Sequence, residues 1–113
     1  EAIAYQIRDV LDMMRADGKI KLQKLHADGG PTRNKFPMQF TADLTRTELK
    51  VSGVAESSAW GAAMSGMLGL GRCKSLEDLA KLPQGQKLFR PRMKKSLAQK
   101  NYAGWQQAVK RVL

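Results

Sequence analysis

Apolar residues recur along the chain at spacings that change from helical to strand-like and back. Near the start they repeat every three or four residues and predict a helix that ends at Asp17-Gly18. The members of this apolar face are Ile3, Ile7, Val10 and Met14. From Ile20 to Ala27 the apolar positions alternate more closely, which is typical of a short strand. The pattern therefore predicts a buried helix face followed by the first strand of a sheet.

A Gly-Gly pair separates this strand from a second predicted helix. Pro37 is tolerated only in the first turn of a helix, because a proline in the interior costs about 3 kcal/mol. The helix is therefore expected to begin near Asn34, which leaves residues 29–33 as a loop. Its predicted buried face consists of apolar residues at four-residue spacing, namely Phe36, Phe40 and Leu44.

The second half of the chain is predicted to be mainly helical. Residues 48–51 form a second short strand, and residues 57–70 form a helix of unusually small side chains, expected to lie close against a sheet or ligand. Its bulkier stripe consists of Trp60, Met64 and Met67. Ser75 and Asp78 form a capping-box pattern for a short helix, and the stretch from Pro83 to Pro91 is expected to be an irregular connector.

The last predicted helix has the strongest periodicity in the chain. Its apolar residues are Ala98, Tyr102, Trp105, Val109 and Val112, at spacings of four, three, four and three. Strands that alternate with helices favour an α/β layer whose strands are parallel. Because two strands alone make a poor sheet, and because the chain begins with Glu1 inside a helix, we expect a fragment of a longer protein.

Composition fits one folded domain, with 113 residues of which 42% are apolar. The chain shows no signal peptide and no apolar run long enough to cross a bilayer, so we expect a cytoplasmic protein without a membrane partner. Its single cysteine, Cys73, excludes an internal disulfide and cannot build a metal site with the single histidine, His26.

The formal charge of +10 leaves a small nucleic-acid-binding module as an alternative. Most basic residues are scattered, and the local cluster consists of Lys87, Arg90, Arg92, Lys94 and Lys95. No aromatic residues alternate with this cluster, as a surface that stacks single-stranded bases requires. We therefore expect no nucleic-acid partner.

The candidate chemistry lies around the Gly-Gly pair. Gly29 and Gly30 carry no Cβ and let a ligand approach the backbone closely, and the helix start that follows offers unpaired N–H groups. Asn34 is suited to cap that helix with its oxygen, which leaves its NH₂ group for a ligand. Asp28 is expected to accept hydrogen bonds in the turn and not to act as a base. We expect His26 to be an ordinary strand residue and Arg33 to be solvated.

Several segments in order resemble the C-terminal domain of the FGGY carbohydrate kinases, which include glycerol kinase, xylulokinase and ribulokinase. The first is Asp28-Gly29-Gly30 followed by Asn34, Met38-Gln39-Phe40 and Ala42-Asp43. The second, residues 56–63, looks like that family's Glu-Thr-Thr-Ala-Leu-Gly-Ala-Ala segment. The first helix and the Tyr102…Trp105 pair also resemble family positions. The resemblance implies an α/β chain with the ribonuclease-H-like (actin-like ATPase) fold, of which residues 1–113 would be the last portion of the ATP-binding domain.

The resemblance also implies a function. Such kinases transfer the γ-phosphoryl group of ATP to a sugar or polyol hydroxyl, with Mg²⁺ on the nucleotide. By similarity, Gly29 and Gly30 would lie against ATP and Asn34 would face the adenine. The catalytic Asp would lie in an earlier part of the protein, so we expect no catalytic or metal-binding residue in this chain and no activity of the chain alone. A homo-oligomer is compatible with this interpretation, and a non-catalytic actin-like scaffold fragment is the other alternative.

Overall fold

A computed structural model describes residues 1–19, 21–54, 56–83 and 85–113. Five α-helices, one 3₁₀ turn and three strands occur in these residues: α1 (Ala2–Gly18), β1 (Lys24–Ala27), the 3₁₀ turn (Gly30–Arg33), α2 (Lys35–Thr45), β2 (Glu48–Ser52), α3 (Ser57–Gly69), α4 (Leu76–Ala80), β3 (Gln86–Phe89) and α5 (Lys95–Lys110). The predicted α/β class is confirmed. Among the described residues, no helix is long and apolar enough to cross a membrane.

The sheet has the order β1-β2-β3. β1 and β2 are parallel, as predicted, with Leu25 opposite Leu49, and α2 forms the crossover between them. The sheet has one strand more than the two that were located in the sequence, because β3 pairs antiparallel with β2 in the stretch that was wrongly expected to be irregular. β3 is exposed except for half-buried Phe89, so its sequence carries no alternation of apolar and polar residues. The first predicted strand also began too early, since residues 21–23 are irregular and Ile20 lies outside the described residues.

The core is built around α2, which is covered on two sides. On one side Met38 and Ala42 pack against Leu49 and Val51 of the sheet. On the other side Phe40 and Leu44 pack against Ala4 of α1 and Ala98 of α5. The sheet therefore covers one side of α2, and α1 and α5 cover the other.

The predicted buried faces of the first two helices were partly wrong. On α1 the buried residues are Ala4 and Leu11, whereas Ile3 is 71% exposed and Val10 is 56% exposed. Met14 is exposed as well, and so is Phe36 of α2, which stacks on Phe40. Besides Leu11, the inward face of α1 includes small, aromatic and charged residues, which a search for spaced aliphatic residues does not detect. Tyr5 stacks on Trp105, and Arg15 donates to the backbone oxygen of Thr45.

A buried carboxylate fixes the segment between β3 and α5. Asp43 of α2 is 6% exposed, and its Oδ1 accepts hydrogen bonds from the backbone N–H groups of Arg92 at 2.6 Å and Met93 at 3.1 Å. Gln39 donates to the same oxygen and also to the backbone oxygen of Arg90. Two successive backbone amides are thereby satisfied by one side chain, which sets where α5 begins.

We expect Asp43→Ala to lower the free energy of unfolding by about 3 kcal/mol, because it removes a charged acceptor and leaves two backbone donors without a partner. Urea denaturation measures this loss. Asp17→Ala is the control, since Asp17 lies exposed at the end of α1 and should change stability by less than about 0.5 kcal/mol. Equal effects of the two substitutions would contradict the stabilising role of the Asp43 carboxylate.

A second carboxylate, which is half-buried, joins α1 to α5. Asp9 accepts hydrogen bonds from the Tyr102 hydroxyl at 2.5 Å and from Trp105 Nε1 at 2.7 Å. The guanidinium of Arg8 lies 3.8 Å from the centre of the Tyr102 ring. The two aromatic residues that the periodicity of α5 placed on one face therefore meet a carboxylate as well as apolar side chains.

Ionisation of Tyr102 gives the fold a pH dependence in alkaline solution. Burial, and then the hydrogen bond to Asp9, raises the pKa of Tyr102 from 10.0 to about 12. Since the folded state favours the protonated phenol, this contribution to stability is complete below pH 10 and is lost as the pH rises from 10 to about 12. We expect Tyr102→Phe to lose less stability than the wild type over this interval in urea denaturation. An equally steep loss of stability in the wild type and in Tyr102→Phe would show that ionisation of Tyr102 is not its cause.

Candidate functional site

The Gly29-Gly30 turn lies at the carboxyl end of β1, between that strand and α2. In open α/β sheets, ligands commonly bind just beyond the carboxyl ends of parallel strands. β2 ends at Ser52 on the same edge of the sheet, because the two strands run in the same direction. The fold therefore places the predicted glycines where such a sheet has its usual binding edge.

The backbone requires glycine at position 29 but not at position 30. Gly29 has a φ of 89°, which residues other than glycine rarely adopt. Its carbonyl oxygen accepts hydrogen bonds from both the N–H and the hydroxyl of Thr32. Gly30 has no such backbone constraint, and a Cβ at its position would meet nothing within 4 Å. The packing of the described residues thus does not require glycine at position 30, and the backbone there remains open to close approach.

Asn34 is the N-cap of α2, as its sequence position predicted. Its Oδ1 accepts a hydrogen bond of 3.1 Å from the backbone N–H of Phe36. The side chain is exposed, and its NH₂ group makes no hydrogen bond within the part of the chain that the structure describes. The oxygen and the nitrogen of this carboxamide therefore serve separate purposes, and the nitrogen is available to an acceptor on a ligand.

Asp28 does not have its predicted role in the turn. It is exposed and accepts no hydrogen bond from the described residues, whereas Thr32 makes the bonds that close the turn. The hydroxyl of Thr32 reaches back three residues, a short-range pattern that can be found in sequence. His26 is an exposed residue of β1 and Arg33 is exposed in the 3₁₀ turn, as expected.

A cavity of about 360 Å³ lies next to Asp28, between the sheet and α3. Its lining includes His26 and Lys50, which face each other in the register of β1 and β2, together with Ser52, Ser57 and Trp60. Sequence reasoning missed Lys50 and Ser52. The signal was the alternation of polar residues at positions 48, 50 and 52, which places them on the side of the sheet away from α2.

Helix α3 turns its bulky side toward this cavity. Trp60 and Met64 line it, whereas Ala59, Ala62 and Ala63 are exposed. The small face of α3 therefore does not lie against the sheet among the described residues, and the alternative that it lies against a ligand stays a prediction. The indole Nε1 of Trp60 is buried, with no hydrogen-bond partner among those residues.

Comparison with known proteins identifies the family. Residues 1–70 match the model of the C-terminal domain of the FGGY family of carbohydrate kinases. Glycerol kinase of Brevibacillus brevis is 45% identical over 109 residues, which is 96% of this chain and 22% of that protein. Glycerol kinase of Vibrio cholerae is 44% identical over 110 residues, which is 97% of this chain and 22% of that protein.

The fold leads to the same family. A crystal structure of Plasmodium falciparum glycerol kinase with ADP matches with a TM-score of 0.80 and 33% identity, over 98% of this chain and 22% of that chain. The chain thus spans about a fifth of the length of the relatives it matches. The chain belongs to the FGGY family of carbohydrate kinases and corresponds to that family's C-terminal domain, with an actin-like ATPase fold.

Proposed function

We propose that this chain is the nucleotide-binding end of a glycerol kinase, which transfers the γ-phosphoryl group of ATP to a glycerol hydroxyl. The observation that carries the proposal is the open backbone at Gly30 beside the free NH₂ group of Asn34, at the carboxyl end of β1. The P. falciparum relative, solved with ADP, shares this fold at a TM-score of 0.80. Membership in a kinase family favours this function over a nucleic-acid module or a scaffold fragment.

In this proposal the chain binds the adenosine part of ATP. The backbone at Gly29 and Gly30 approaches the nucleotide, since a side chain would fill the space that the ligand needs. The NH₂ group of Asn34 donates to an acceptor nitrogen of the adenine, while its oxygen stays on the N–H of Phe36. Because the cap holds this side chain in one position, the donor is oriented before the nucleotide arrives.

The proposal assigns the chemical step to other parts of a longer protein. Phosphoryl transfer depends on positioning ATP, Mg²⁺ and the attacking hydroxyl together. Asp28 is exposed and no described side chain orients it, which suits a surface carboxylate better than a base. No group of three or more described His, Cys, Asp or Glu side chains is placed to hold a metal, so Mg²⁺ would arrive on the nucleotide phosphates. We infer that residues 1–113 alone are inactive, and that the kinase works in the cytoplasm.

The complete gene product tests this proposal. We expect the complete protein to phosphorylate glycerol with ATP. Its kcat/KM for glycerol should exceed that for sugars and longer polyols at least about tenfold, which corresponds to a difference of about 1.4 kcal/mol in free energy. A coupled assay of ADP release over a panel of acceptors measures this. Faster phosphorylation of a sugar would replace glycerol as the substrate, and no turnover despite ATP binding would support the scaffold alternative.

We expect Asn34→Asp to raise the KM for ATP about tenfold, with little change in the KM for the acceptor. Asp caps a helix as well as Asn does, so α2 and the stability of the fold should be preserved while the NH₂ donor is lost. Asn101→Asp, the same substitution on α5, is the matched control and should leave both constants unchanged. An unchanged KM for ATP in Asn34→Asp would remove Asn34 from the binding site.

A further inference from the structure

Positive charge is concentrated in the last third of the chain. Residues 79–113 contain nine Lys and Arg residues and no Asp or Glu, whereas residues 1–78 contain eleven and ten. Nearly all of the formal charge of +10 therefore comes from a segment that consists of the end of α4, β3, α5 and the residues around them. A strong asymmetry of charge within one chain points to a polyanionic partner.

The fold keeps these cations exposed and apart from carboxylates. We define the basic surface as Lys87, Arg92, Lys94, Lys95, Leu97 and Lys100, all of which are exposed. Its Lys and Arg side chains form no ion pair among the described residues, where Glu48 pairs with Lys24 and Arg90. Asp43 contacts this segment through hydrogen bonds that its carboxylate accepts from the backbone amides of Arg92 and Met93. Among the described residues it forms no ion pair with a Lys or Arg side chain.

The stability of α5 does not explain this arrangement. The helix has Lys94 at its N-cap without a side-chain capping bond, and no acidic residue in its first turn. Cations at this end are unfavourable, because a helix N-terminus already carries partial positive charge. Arg46 adds another cation, since its Nη1 donates to the backbone oxygen of Met93 at 2.7 Å. The start of α5 thus carries several positive charges, which an external anion would offset.

An exposed apolar side chain within the basic surface, Leu97, indicates the kind of partner. Leu97 of α5 is 47% exposed, and it lies three residues from both Lys94 and Lys100, hence on the same side of the helix. The aromatic rings of this segment point inward, with Trp105 hydrogen-bonded to Asp9, so none is free to stack on bases.

We propose that the basic surface docks on a membrane that contains anionic phospholipid. Its cations would contact lipid headgroups while Leu97 enters the interface between headgroups and acyl chains. Such binding is peripheral, reversible and weakened by salt. It goes beyond the proposed kinase activity and is an alternative to the expectation from sequence that this protein has no membrane partner.

Co-sedimentation of the complete gene product with vesicles tests this proposal. We expect binding to vesicles of equal parts phosphatidylserine and phosphatidylcholine at low salt, and none to phosphatidylcholine alone. Substitution of Lys94, Lys95 and Lys100 by Gln should lower the partition coefficient about 100-fold, because each cation near an anionic surface contributes about fivefold. Leu97→Ser should weaken the binding that remains at high salt. Kinase activity without vesicles should be unchanged in these variants.

A matched triple variant separates this surface from net charge alone. Substitution of Lys21, Arg72 and Lys74 by Gln removes the same charge at exposed positions elsewhere, and should lower vesicle binding far less. Equal losses in the two triple variants would overturn the proposal, as would the absence of binding to anionic vesicles at low salt. Tighter binding to duplex RNA than to these vesicles would overturn it in favour of a nucleic-acid surface.

Discussion

The carboxylate of Asp43 connects the centre of this structure to its last third. It projects from α2, the helix that the sheet covers on one side and α1 and α5 cover on the other, and it binds two successive backbone amides ahead of α5. The buried position of α2 makes this carboxylate a fixed point, and a charged acceptor makes stronger hydrogen bonds than a neutral one. The pairing of β3 with β2 and the packing of α5 on α1 both depend on where this connector is held.

Features that depend on a few neighbouring residues were predicted from the sequence. Pro37 limited where α2 could start, and the structure has Asn34 as its N-cap. Long-range contacts could not be predicted in this way. β3 forms because β2 offers an edge and Asp43 holds the following residues, and neither partner is visible in the sequence of β3 itself. On α1, the choice between two helix faces was decided by Tyr5 and its stacking on Trp105, about 100 residues away along the chain.

The local structure around the candidate site was predicted more completely than the core, because a cap and a turn depend on neighbouring residues. A glycine with positive φ, a capping side chain and a turn can each be inferred from a few neighbouring residues. The cavity beside Asp28 needed the parallel register of β1 and β2, which brings His26 opposite Lys50. Around Asn34, the family resemblance and the physical reasoning thus both point to a ligand-binding site.

The order of the sheet has a consequence for the loop that follows β1. In the described sheet β1 is an outer strand, with β2 on one side only. Its other side carries unpaired backbone donors and acceptors, which can template a further strand. A strand added there would run beside residues 24–27 and end close to Gly29 and Gly30, so it would hold the base of that loop from both sides. Extension of the sheet on that side would thus also restrain the glycine loop.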